Sequence, residues 1–189
     1  MPRPRKFDEA EVIEKAMLTF WQCGYDATTM KILQESTGVD GKGLANAFGD
    51  KEQIFLKVLD AYTDMASAVL SQVFAEPSID SVIAFFGGIV DSDIDEEDPR
   101  QSGCLMVNTV FELGRTSDSV RKKVEKYRQL FLDCFELSLS ASSIADPHQK
   151  SELLLGMLWG ALSQIRLSGT IAAAKPMARE IINMLKSWT

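Results

Sequence analysis

The sequence predicts an all-α chain, and three observations carry that expectation. Apolar residues recur at steps of three and four along almost the whole length. No run alternates apolar with polar residues like a half-buried strand, and no Asn-Gly or Asp-Gly hairpin joins two strand-like segments. The periodic stretches are punctuated by Gly, Pro, Ser and Asp, residues that start and stop helices. About nine helices are expected.

Between Asp8 and Cys23, the residues Ala10, Val12, Ile13, Ala16, Met17, Phe20 and Trp21 share one helical face, and Gly24 supplies the stop. Thr28 or Thr29 can cap a second helix of barely two turns, which carries Met30, Leu33 and Thr37 and ends at Gly38. Val39 and Asp40 lead into a third short helix, Gly41 to Phe48, and Gly49-Asp50 opens a long one from Lys51 to about residue 75. Pro77, Ser78 and Asp80 start the next, Ile79 to about Val90. Residues 91–100 hold six acids and Pro99 and read as a solvated loop. They lack the glycine and terminal glutamate of a calcium-binding loop. Helices are then expected from Gly103 to Leu113, from a Ser117 cap to about Ser142, from Asp146-Pro147 to about Leu167, and from near Pro176 to Trp188.

A chain of 189 residues, 46% hydrophobic and 25% charged, has the make-up of an ordinary globular protein. A head of residues 6–66 and a body of residues 67–189 are expected. The start shows no apolar stretch behind its basic residues and no window is apolar enough to span a bilayer, so the reading is cytoplasmic with no membrane partner. Three widely spaced cysteines, Cys23, Cys104 and Cys134, fit reduced thiols better than a disulfide frame. No metal-ligand spacing, phosphate-cradling loop or nucleophile-base-acid set is present, so no metal, no cofactor and no enzyme activity are expected. The lone histidine, His148, sits at a helix start as surface or capping chemistry.

Residues 29–48 form a helix-turn-helix pattern: one short helix, the turn Gly38-Val39-Asp40, and a second short helix. Glycine suits a left-handed turn, while Val39 and Leu44 face inward and set the angle between the helices. A net charge of −7 opposes nucleic-acid binding on average, and residues 1–52 hold seven Lys and Arg against nine Asp and Glu. A basic arm of Arg3, Arg5 and Lys6 is nevertheless free of acids.

The stretch Pro2-Arg3-Pro4-Arg5-Lys6-Phe7-Asp8, then Phe20-Trp21, Gly24-Tyr25, Ala27-Thr28-Thr29, Gly38-Val39, Leu44 with Ala47-Phe48-Gly49-Asp50-Lys51-Glu52, and Phe55 resembles the N-terminal domain of the tetracycline-repressor family. The resemblance is to the branch whose recognition helix ends Ala-Phe-Gly-Asp-Lys. Ser102-Gly103-Cys104-Leu105-Met106-Val107-Asn108-Thr109 with Glu112-Leu113 resembles a segment of that branch's ligand domains. The resemblance implies a DNA-binding head, a ligand-binding and dimerisation body, a palindromic double-stranded operator, a homodimer and an unidentified small-molecule effector. It departs from the family at Ala45, where a tyrosine is usual, and at Gly41 and Gly43. Those departures and the acidic charge are the warrant for a rival reading, a helical protein-interaction adaptor without specific DNA binding.

The DNA face is expected to comprise Arg3, Arg5, Lys6, Thr29, Lys31, Lys42, Gly43, Asn46 and Lys51, with Lys42 and Asn46 suited to base edges. Lys51 opens a long helix, where its charge opposes the dipole, so a phosphate contact explains it better than a structural role. Met106, Asn108, Thr109, Glu112, Tyr127, Trp159 and Arg166 are expected to line an effector pocket, with Phe85, Phe86, Leu162 and Ile165 from neighbouring helices. Cys104, beside a helix start, is an alternative redox sensor. Gly156, Gly160, Ser163 and Leu167 form a small-residue face read as the dimer seam.

Overall fold

A computed structural model describes residues 7–114 and 117–189. Among the described residues there are nine α-helices and no strand: α1 (Glu9–Cys23), α2 (Met30–Thr37), α3 (Gly41–Phe48), α4 (Lys51–Val73), α5 (Ile79–Val90), α6 (Leu105–Leu113), α7 (Asp118–Ala141), α8 (Pro147–Ser168) and α9 (Lys175–Lys186). Side-chain caps explain most of the starts. Asp8 accepts from the Ala10 N–H, Thr29 from Ile32, Asp40 from Gly43 and Ser117 from Val120. Asp50 and Gln53 form a reciprocal capping box at α4.

Two short 3₁₀ turns, Pro99–Ser102 and Ile171–Ala174, interrupt stretches expected to be irregular. Asp98 makes the first by accepting from the Arg100 N–H and holding its guanidinium, so the end of the acidic loop is ordered by its own ion pair.

Helix α1 packs along α4, with α2 on α1 and α3 on α2; farther along, α4 meets α7 and α5, and α8 packs on α7 while α9 packs on α5 and α8. Phe20 and Tyr25 each lie 4.8 Å from Phe55 by ring centroids and fill the head. Phe74, Phe85, Phe86, Phe131 and Phe135 form the aromatic centre of the body. One continuous apolar core joins the two, because α4 runs unbroken past residue 66.

Candidate nucleic-acid interface and body cavity

The α2–α3 corner is built from its inside out. Leu33 and Leu44 are fully buried, Val39 is nearly so, and Thr37 closes the corner by donating to the Leu33 carbonyl at 2.5 Å. Gly38 turns the chain at φ 73°, a left-handed conformation that disfavours any side chain, and its N–H caps α2 at the Gln34 carbonyl. With one face buried, the opposite face presents Thr29, Lys31, Lys42, Ala45 and Asn46 to solvent. Lys31 stands 3.9 Å from Glu35, an exposed pair one turn apart.

Two expected members of the DNA face sit differently. A Cβ on Gly43 would come 2.8 Å from Val39 Cγ1, so this partly exposed glycine allows close packing of the turn and can offer DNA only its backbone. Lys51 is half-buried. Its Nζ donates to the Tyr25 carbonyl at 3.0 Å and lies 4.0 Å over the Tyr25 ring. The expectation that Lys51 lacks a structural role is therefore corrected: it fastens the start of α4 to the α1–α2 link. Arg3, Arg5 and Lys6 lie outside the described residues.

The expected effector residues do not meet in one pocket. Residues 106 and 109 fall on one side of α6 and residues 108 and 112 on another, as the helical repeat requires. Met106 and Thr109 are buried in the core, with the Thr109 hydroxyl returned to the Leu105 carbonyl at 2.7 Å. Asn108, Glu112 and Arg166 line a shallow outer groove of about 360 Å³ with Phe111, Ser163 and Leu167.

Two of these side chains tie the body to the head. The Glu112 carboxylate accepts the Tyr25 N–H at 2.7 Å, and Arg166 donates to the Gln22 carbonyl at 3.2 Å. Trp159 is half-buried and lines neither this groove nor the main cavity.

The main cavity, about 450 Å³, lies between α4, α5, α7 and α8. Of the residues expected to line a pocket, Tyr127, Phe85, Leu162 and Ile165 are on its wall, but so are Cys104, expected only as a redox sensor, and Trp21, Met65, Val69, Arg100 and Phe131, which sequence reasoning missed. The second half of α4 carried a usable signal, since Ala66, Val69, Leu70 and Val73 make an apolar stripe wide enough for more than one neighbour. No local pattern shows that Trp21 of α1 reaches the body. Its indole N–H donates to the Gly103 carbonyl at 2.8 Å, and its ring meets Tyr62 edge-on at 5.0 Å.

Cys104 is the N-cap of α6, 3% exposed, with the Tyr62 hydroxyl donating to its Sγ at 3.4 Å and the Tyr127 hydroxyl 3.5 Å away. Burial, and then the neighbouring thiol, hold both phenols well above their ordinary pKa, so both stay neutral.

On the expected dimer face, a Cβ on Gly160 would meet Met177 of the same chain at 3.6 Å, which assigns this glycine to packing between α8 and α9. Gly156 is exposed with open space before it, and Leu167 is 83% exposed. Among the described residues no group of three or more acidic, His or Cys side chains could hold a metal, and no helix is long and apolar enough to cross a membrane.

No family model matches the chain. It is 36% identical over 121 residues to the HTH-type transcriptional repressor ComR of Escherichia coli K12, a match spanning 62% of this chain and only 57% of that protein. It is 25% identical over 175 residues to the HTH-type transcriptional regulator YezE of Bacillus subtilis 168, covering 92% of this chain and 89% of the relative. In three dimensions it resembles a cysteine mutant of the TetR-family regulator CifR in complex with 26-base-pair operator DNA. That likeness has a TM-score of 0.80 at 23% identity and covers 96% of this chain and 98% of the other. The chain is thus built on the fold of the TetR, or tetracycline-repressor, family of transcriptional regulators.

Proposed function

We propose that this chain is a TetR-family DNA-binding repressor, a homodimer that grips a palindromic operator with one α3 per subunit in the major groove and lets go when a small molecule fills the body cavity. The observation that carries the reading is the α2–α3 corner. Its inner face is sealed by Leu33, Val39 and Leu44, and its outer face is a polar surface free to meet DNA. Two relatives known as a transcriptional repressor and a transcriptional regulator, and the operator DNA held by the CifR mutant, support it.

In this reading Lys42 and Asn46 read base edges, while Thr29, Lys31 and Lys51 meet phosphates. Arg3, Arg5 and Lys6 act as an arm along the backbone or minor groove. Residues 6–66 form the DNA-binding unit and residues 67–189 the effector and dimer unit, with Gly156, Ser163 and Leu167 in the seam. The ending Ala47-Phe48-Gly49-Asp50-Lys51 is the support for assigning the chain, within this reading, to the branch that shares it.

Trp21 gives the coupling a route, because a ligand in the cavity touches a side chain of α1 directly. Binding then favours whichever head placement suits the filled cavity, and DNA affinity falls by the same linkage.

Electrophoretic shift of the DNA upstream of the chain's own gene, at two salt concentrations and against random competitor, tests the reading. Retention of one fragment with a steep salt dependence is expected, and no preference over competitor refutes it. Arg5→Ala should weaken specific and random binding alike and flatten the salt slope by about one unit. Asn46→Ala should cost roughly 1–3 kcal/mol on the preferred site alone.

A further inference from the structure

The hydroxyls, the thiol and the indole N–H on the wall of the main cavity are already engaged with groups of that same wall, and the one cation there is paired with a carboxylate beside it. The Tyr62 hydroxyl donates to Cys104 Sγ, and Cys104 and Tyr127 are a hydrogen-bonding pair. The Ser92 hydroxyl donates to the Gly88 carbonyl and the Trp21 indole to the Gly103 carbonyl. Arg100 is the one charged residue among the described lining residues. Its Nε and Nη2 are held by the two carboxylate oxygens of Asp98 at 2.9 and 2.7 Å. Among the described residues no buried side-chain nitrogen or oxygen lacks a hydrogen-bond partner.

An ionised group brought into this space would lose its hydration and find no unpaired counter-charge, a cost that apolar contacts elsewhere do not remove. The rest of the wall is aromatic and aliphatic, including Phe85, Phe131, Leu158 and Ile165. Met65 and Val69 of α4, 42% and 52% exposed, flank its mouth and leave apolar surface that a ligand of the same character would cover. We infer that the cavity takes a neutral, predominantly apolar molecule of drug-like size and rejects the ionised analogue of the same skeleton. The inference rests on the effector site proposed above and names the chemical class of its ligand.

A pair of fluorescent probes isolates charge at nearly constant shape: neutral N-phenyl-1-naphthylamine and its sulfonated counterpart 1-anilinonaphthalene-8-sulfonate. Titrated into the full chain, the neutral probe should bind at least about tenfold more tightly than the sulfonate. Gly88 lines the cavity mouth on α5, and a Cβ there meets nothing within 4 Å, so Gly88→Trp adds bulk at the opening without a clash. Ala66→Phe, on the α4 wall, is the second plug in case the indole swings outward. At least one of these variants should weaken the neutral probe by about tenfold or more while its melting curve stays cooperative.

Equal or tighter binding of the sulfonate overturns the neutral class, and so does neutral-probe binding that neither plug disturbs. DNA retention by the probe-free protein is measured separately. Its loss would sink the regulator reading and leave the probe result intact, so the two failures are distinguishable.

Discussion

At the scale of single residues, chemistry that sequence assigns to one task is often shared with another. Lys51 is such a case. A cation at a helix start opposes the dipole, and sequence alone offered only DNA as its reason; the Tyr25 carbonyl and ring supply a second. Lys42, by contrast, is exposed, with no such tie. Lys51→Ala should therefore cost about 1 kcal/mol of stability, a Tm fall of a few degrees, whereas Lys42→Ala should leave the Tm unchanged and reduce only DNA affinity. Equal melting curves for the two variants would remove the structural role of Lys51.

The same lesson applies to thiols. Cys104 sits at a helix start as expected, but it is buried between two tyrosines, whereas Cys23 is exposed and Cys134 half-buried with its pKa raised by burial and by Asp133. A charged methanethiosulfonate reagent should modify Cys23 first and Cys104 last, as read by mass spectrometry over time. If Cys104 leads, the redox-sensor alternative regains its footing.

At the scale of helices, nearly every element was legible in the sequence, because caps and glycine stops are local chemistry. Asp8, Thr29, Asp40, Ser78 and Ser117 cap where a short polar residue precedes an apolar period. What local pattern could not give was which neighbour each face of a helix meets: Glu112 of α6 reaches the Tyr25 N–H of the head, Asn108 is buried against the Ser102 carbonyl and Met106 lies in the core. Two glycines in α3 make the same distinction. A Cβ on Gly41 would meet only the flexible amide end of Gln34, at 2.9 Å, whereas on Gly43 it meets the branched and buried Val39 at 2.8 Å.

Alanine favours a helix over glycine by roughly 0.5–1 kcal/mol, and overpacking a stiff neighbour costs about 1–3 kcal/mol. Gly41→Ala should therefore raise the chemical-denaturation midpoint slightly, and Gly43→Ala should lower it. Stabilisation by both would show that Val39 yields, and that the corner is looser than its burial implies.

At the scale of the whole molecule, α4 and the Trp21 bond to Gly103 join the N-terminal helices to the rest through one apolar core, while the proposed dimer seam has to lie on surface that this packing leaves uncovered. The small-residue stripe of α8 was legible, but a stripe read from sequence cannot tell which members face the chain's own α9. Gly160 faces Met177, so Gly160→Arg would disrupt α8–α9 packing within one chain and any change in assembly would be ambiguous. Gly156 has open space before it and Leu167 stands in solvent on the same helix. Gly156→Arg places a long cation on the proposed seam while leaving the internal packing alone.

The expected outcome is a chain that melts like the parent, runs as a monomer by light scattering and loses affinity for a two-half-site operator. Binding to an isolated half-site should change little, because α3 is untouched and only the second recognition helix has been lost. A Gly156→Arg variant that remains a dimer with parental operator affinity would move the seam off this face of α8. If the variant is monomeric and yet binds the full operator as tightly as the parent, α3 pairs on DNA are not what the dimer provides.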